Sequence, residues 1–195
     1  MITSDTPVSL YLRSRGYHGS IPKTLRYHPG LLHRETGLRL PAMVAAVTVW
    51  PARDLTGIHR TYLRRDGAGK AAVEPNKQML GPVSGGAVRL APAAQQMAFS
   101  EGIETGLAVM QATGLATWAG LSAGGLETLI LPPLPLASDI LIAADNDKSG
   151  RGQRAAAVAA ERWTAEGRRV RVSVPPEIGT DWADYPANLE IRGAA

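Results

Sequence analysis

Two aspartates one residue apart, Asp145 and Asp147, close an apolar run from Ile140 to Ala144. Gly150 and Gly152 follow, and then an alanine-rich stretch. The apolar run reads as a short buried strand and the alanine-rich stretch as a helix, which puts the D-x-D in the turn between them. In a parallel α/β sheet, ligands bind beyond the carboxyl ends of the strands. Two carboxylates there offer the oxygen donors that a hard cation such as Mg²⁺ takes. The same residues also suit a helix N-cap followed by a solvated acidic loop, because aspartate is favoured in both roles. Further acids fall at matching places: Glu101 after the strand Gln96–Ser100, and Asp181 and Asp184 after the strand Val170–Val174. A parallel sheet brings all of them to one rim, where crowded carboxylates repel one another and a divalent cation relieves the repulsion. A metal held by carboxylates with open positions suits phosphoryl transfer.

The elements that must position these acids alternate. After Gln96–Ser100 comes a helix over Ile103–Thr113, with Leu107, Val109 and Met110 as buried positions. A strand at Leu115–Ala119 precedes a short helix from Leu126. A stiff connector with Pro132, Pro133 and Pro135 leads into Ile140–Ala144. A helix over Gln153–Gly167 turns Ala156, Ala159, Ala160 and Trp163 to the sheet before Val170–Val174. Four strands with intervening helices predict a small doubly wound parallel sheet.

The first half reads differently. A short helix over Val8–Arg15 ends at Gly16, and IPKTLRYHPG ends in a turn at Pro29-Gly30. From Pro41 the pattern turns to strand, a β-meander or hairpin with turns near Asp54–Gly57 and Asp66–Gly69. Gly81-Pro82 and Gly85-Gly86 break the chain, and the APAA at 91–94 marks a junction. We therefore divide the chain into a basic, mainly β (α+β) subdomain at 1–93 and an α/β domain at 94–195. Residues 1–93 hold 13 Lys+Arg and 5 Asp+Glu, and residues 94–195 hold 8 and 12, so a half of charge +8 adjoins one of −4. That asymmetry fits a polyanion-binding surface beside a metal site. Arg60, Arg64, Arg65, Lys70 and Lys77 lie on or just after the hairpin, where basic side chains on an open sheet face can line a nucleic-acid track. His18, His28 and His33 lack ligand spacing, so zinc ligation is not expected of them.

Composition removes several classes. The chain has no cysteine, which excludes disulfides, thiol catalysis and cysteine zinc sites. No apolar run approaches the ~20 residues that span a bilayer, and the N-terminus lacks a signal-peptide core, so no membrane partner and a cytoplasmic location are expected.

Taken together, EGIETGLAV after a strand, LIAADNDKSGRGQRAA, and GTDWADY resemble the Toprim domain over about residues 96–186. Bacterial and phage primases, topoisomerases, small nucleases and recombination-mediator proteins share that domain. By this resemblance Glu101 is the first-motif glutamate, a general acid/base or metal ligand. Asp145 and Asp147 are the metal-binding pair for Mg²⁺ or Mn²⁺, and Asp181 is the late acidic ligand. Many primases carry an aspartate where this chain has Thr105; Glu104 either substitutes for it or is an exposed first-turn acid. YLRSRG, LRYHP, GIHRTYL, and PNKQMLGP followed by GGAVRL resemble the segment that precedes Toprim in primases of plasmids and phages, here without a zinc-ribbon or helicase domain. The resemblance implies a DNA-primase-type nucleotidyltransferase of DNA replication, with catalytic Glu101, Asp145 and Asp147. Its partners would be a single-stranded DNA template and nucleoside triphosphates, with room for a helicase or zinc-binding protein. Arg60, Arg64, Lys77 and Lys148 are the candidates for nucleic-acid or nucleotide contact. A nuclease using the same metals, or a non-catalytic nucleic-acid-binding adaptor, are the alternatives. A topoisomerase would need a clamp domain that 195 residues cannot house.

Overall fold

The computed structural model describes residues 2–52 and 54–185. Its backbone is one sheet of nine strands. The second half supplies β6 (Gln96–Ser100), β7 (Ala116–Ala119), β8 (Asp139–Ala143) and β9 (Arg169–Ser173), all parallel, in the order β7-β6-β8-β9. Three helices make the crossovers: α2 (Ile103–Thr113), α3 (Ala123–Thr128) and α4 (Arg151–Ala165). Parallel strands need such crossovers, and burial on both faces explains their continuous apolar runs. All five residues of β8 are buried. This is the α/β arrangement expected from the sequence, with α3 starting three residues earlier than the pattern indicated. Ser122 explains that start, because its side chain accepts a hydrogen bond from the Gly125 amide and caps the helix.

The two faces of the parallel sheet pack differently. On one face Phe99 lies between Trp118 (ring centroids 6.2 Å apart) and Trp163 (4.9 Å), beneath Ala156 and Ala159 of α4. Alanine on α4 lets the helix approach closely enough for these large rings to fill the space. On the other face Ile103 and Leu107 of α2 pack with Val8, Tyr11 and Leu12 of α1 (Pro7–Ser14) and with Met43 and Val47 of the first half.

The first half adds β1 (Leu25–Leu32), β2 (Arg39–Val49), β3 (Gly57–Tyr62), β4 (Lys77–Leu80) and β5 (Gly86–Arg89), all antiparallel to their partners within it. β2 carries two ladders. Residues 39–47 pair with β1 and β3, and Thr48 and Val49 pair with Ala87 and Gly86 of β5. β5 in turn pairs with β7, so the sheet runs without interruption from the basic half into the acidic one. The division at residues 93 and 94 falls in the connection between β5 and β6.

Two expectations are corrected. Pro29-Gly30 is not a turn: β1 continues through it with a register shift between His28 and Leu31. Proline lacks an amide to donate, and a bulge on a strand is where that lack is tolerated; His28 Nδ1 accepts from the Gly30 amide at 3.1 Å. The glycine-rich break at 81–86 runs directly into β5, which begins at Gly86. A Cβ at Gly86 would lie 2.9 Å from a Val47 methyl, so a larger residue there would force Val47 or the strand pair to shift.

The turn between β7 and α3 depends on a second close approach. A Cβ on Gly125 would stand 2.0 Å from the Gly120 carbonyl oxygen, whereas one on Gly124 would meet nothing within 4 Å. Gly125→Ala is expected to destabilise the protein by roughly 2–4 kcal/mol through that backbone clash. Gly124→Ala is expected to be neutral or stabilising by up to about 1 kcal/mol, since alanine is the better helix former. Urea unfolding midpoints of the two variants check the contrast.

Candidate active site

Glu101 follows β6 directly. Its carbonyl accepts from the Leu121 amide at 2.8 Å, and its carboxylate accepts from the Ala123 amide at the start of α3. Burial and the neighbouring charge of Asp147 raise its pKa, partly offset by Lys77 and Arg151.

Asp145 and Asp147 follow β8, and the loop that carries them is stitched to the loop after β9. The Asn146 amide donates to Thr180 O (3.0 Å) and the Gly179 amide to Asn146 O (2.6 Å), while Asn146 Nδ2 reaches Pro175 O (2.8 Å). This short antiparallel bridge holds Asp181 beside Asp145. Burial, Asp181 and Glu101 together push the Asp145 carboxyl up to about 7. Its one hydrogen bond among the described residues is a long contact from Thr105 Oγ1, at 3.4 Å.

Asp147 is placed differently. Oδ1 accepts from Ser149 Oγ (2.5 Å) and the Arg151 amide (3.1 Å), and Oδ2 accepts from the Gly152 amide (2.6 Å). The carboxylate therefore caps the first turn of α4, and these donors hold its pKa down to about 2. Gly152 permits the approach, since a Cβ there would lie 2.8 Å from Asp145 O and 3.0 Å from Asp147 Oδ2.

Asp181 and Asp184 form a reciprocal cap on the 3-10 turn Trp182–Asp184 and share an ion pair with Arg15 at the end of α1, at 3.5 and 3.0 Å. Asp145, Asp147, Asp181, Asp184 and Lys148 border one cleft of about 250 Å³.

The basic candidates are dispersed. In the β3–β4 ladder Thr61 is opposite Lys77 and Arg60 opposite Gln78. Successive side chains point to opposite faces of a strand, so Lys77 shares a face with His59 and Thr61 while Arg60 projects from the other. Lys77 Nζ stands 3.5 Å from Glu104 Oε2, and its charge is felt at Glu101 and Asp145. Arg60 turns to the Met79 carbonyl (3.5 Å), and its charge is felt at Glu35 and His59. Arg64 is held by Asp66 in an exposed, local ion pair. His33 is a buried core histidine between Thr36 and Pro75 O.

Glu104 is neither of the things the sequence allowed. It is buried, not exposed, and it does not stand in for an acid at 105, because Thr105 contacts Asp145 while Glu104 turns to Tyr11, Lys70 and Lys77. Burial pushes its carboxyl up, but Lys77, Lys70 and the Tyr11 hydroxyl overcome that and hold it at about 2. Lys70 was legible only as one basic residue among five.

Among the described residues no three histidine or acidic side chains form a ready-made metal cage. Mg²⁺ does not require one, being bound characteristically by one or two carboxylates with waters and substrate phosphates. An under-bonded Asp145 pressed by two other carboxylates is an oxygen donor set of that kind.

Parallel strands ending in acids, with an α/β crossover order and a late acidic turn, define the Toprim class, and residues 96–189 match the Toprim domain family. The second half of the chain thus carries a Toprim domain. Residues 2–90 match a family described as a domain of unknown function (DUF7146). The fold as a whole is that of primase catalytic cores. The DnaG catalytic core aligns at a TM-score of 0.53 with 16% identity, covering 93% of this chain and 69% of that one. The primase fragment of the bacteriophage T7 primase-helicase protein aligns at 0.50 with 16% identity, over 74% and 57%. A DnaG primase catalytic domain bound to single-stranded DNA aligns at 0.50 with 16% identity, over 73% and 46%. The chain thus spans between about half and two thirds of the structures it matches. No curated protein matches it by sequence, and no helix among the described residues is long and apolar enough to cross a membrane.

The Asp145 carboxyl makes stability depend on pH. Its folded pKa near 7 lies above the ordinary 3.8, so ionisation favours the unfolded chain as pH rises from about 4 through 7. Without divalent metal, Asp145→Asn is expected to gain stability over the native protein between pH 4 and pH 8, by roughly 2–4 kcal/mol. Chemical denaturation in a chelating buffer at the two pH values checks it.

Proposed function

We propose that this protein is a primase-like nucleotidyltransferase that joins nucleotides on a single-stranded DNA template. One observation carries the reading: the Toprim acids meet a lysine from the basic half, with Lys77 close enough for its charge to be felt at both Glu101 and Asp145. A nucleoside triphosphate needs both kinds of group, carboxylates to hold its metal and cations to hold its phosphates. Asp145 and Asp181 would hold Mg²⁺ or Mn²⁺ together with waters and substrate phosphates, with Asp147 at the edge of the set and Glu101 free beside it. When bound, the metal supplies charge neutralisation and alignment of the attacking and leaving oxygens.

The chain's own groups do the rest. Lys77 and Lys70 bind the triphosphate oxygens, and Lys148 borders the acidic cleft. The 3′-oxygen of the growing strand attacks the α-phosphorus, the bond to the bridging oxygen breaks, and pyrophosphate leaves. Glu101, whose pKa burial raises, accepts the 3′-hydroxyl proton on its carboxylate. The template lies on the basic half, held largely through its phosphates, so its affinity falls steeply with salt. The likeness to a primase core bound to single-stranded DNA supports that choice of partner. A helicase or zinc-binding protein would be a further partner, and Arg60 and Arg64, remote from the acids, would serve the template if either contacts nucleic acid.

A non-catalytic adaptor is the second reading, favoured by the engagement of both Asp147 oxygens at the α4 terminus. Labelled nucleoside triphosphates, mixed-sequence single-stranded DNA and Mg²⁺ or Mn²⁺ separate the readings. Short labelled oligomers are expected from the native protein, reduced about a hundredfold or more by Asp145→Asn and at least tenfold by Lys77→Ala. DNA binding without synthesis would establish the adaptor, and metal-dependent DNA degradation without triphosphates would establish a nuclease.

A further inference from the structure

Glu104 has no role in the transfer just described, yet it is a buried charge whose side-chain partners among the described residues come from the other half of the chain. Tyr11 of α1 donates its hydroxyl to Oε1 at 2.8 Å. Lys77 Nζ lies 3.5 Å from Oε2 and Lys70 Nζ 3.9 Å from Oε1. The Glu104 side chain is 5% exposed, while those of Lys70 and Lys77 are 35% and 38% exposed. The carboxylate is thus the buried end of the cluster and the ammonium groups are its accessible end. His59, buried on the same face of β3 as Thr61, feels the charges of this cluster and is held neutral by burial and by Lys77. It adds no competing cation.

Lys77 stands between two sets of acids. With a flexible four-carbon stem, an ammonium that lost Glu104 would pair with Asp145 and Glu101, whose crowded charge already attracts it. Lysine bound there would be lost to phosphate and would occupy the metal's oxygens.

We infer that Glu104 is a positioning residue: its buried carboxylate anchors Lys77 and Lys70 away from the Glu101–Asp145 rim, so that both ammonium groups face an incoming triphosphate. The inference rests on the nucleotidyl-transfer reading of the site. It makes a prediction opposite in sign to bulk electrostatics. Glu104→Gln removes a negative charge, which by charge alone should tighten binding of an anion. Loss of the anchor should weaken it.

The test compares native protein, Glu104→Gln and Glu104→Asp for ATP binding in chelating buffer and for primer synthesis, with thermal melts to verify folding. Glu104→Gln is expected to weaken ATP binding about tenfold and to raise the KM for triphosphate similarly, with kcat changed less than threefold. Glu104→Asp, which keeps the charge on a shorter stem, should fall between. It carries the comparison if the glutamine variant fails to fold. Binding by folded variants that is unchanged within twofold, or tighter, while native protein binds ATP and makes primers, overturns the positioning role and leaves the transfer reading standing. Native protein that neither binds ATP nor makes primers overturns both.

Discussion

Negative charge gathered where parallel strands end is the constraint on which this structure turns. The topology sends Glu101, Asp145 and Asp181 to one rim, and each is pushed towards its neutral form by burial and by its neighbours. Isolated carboxylates cannot be crowded in this way without counter-charge. The chain meets the need from its first half, with Arg15 paired to Asp181 and Asp184, and with Lys77, itself paired to Glu104, near enough for its charge to be felt at Glu101 and Asp145. The continuous sheet, the two ladders of β2 and the packing of α1 on α2 all serve to bring those cations there.

Opposite solutions are used for the two aspartates of the D-x-D. Asp147 is satisfied by the amides of α4 and sits low on the pH scale, and Asp145 is left short of donors and sits high. Two carboxylates of the same kind, two residues apart, are thereby given different chemistry by their surroundings. One builds the loop and the other is available to a ligand.

Much of the second half was legible from the sequence. β6, β8, β9, α2 and α4 are announced by apolar runs of strand length and by helical spacing. The acids were legible too, because their places follow from strand ends. The first half was harder. β4 and β5 have four residues each, too short to show a period, and Gly85 and Gly86 read as a break when they are in fact the entry to a strand. Pro29-Gly30 read as a turn because the bulge that accommodates it depends on pairing with β2. Among the bases, Lys77 and Arg60 looked equivalent until register separated their faces, and Glu104 read as either a substitute acid or an exposed one because its partners lie more than 25 residues away in sequence.

The bridge between Asn146 and Thr180 gives the acidic rim a mechanical character. Asp145 and Asp181 hang on either side of the same pair of backbone hydrogen bonds, so they travel as one piece. A ligand that draws one of them inward must carry the other with it. The spacing between the two acids is then a property of the backbone, whereas Glu101, which follows a separate strand, is not tied to either of them by that bridge.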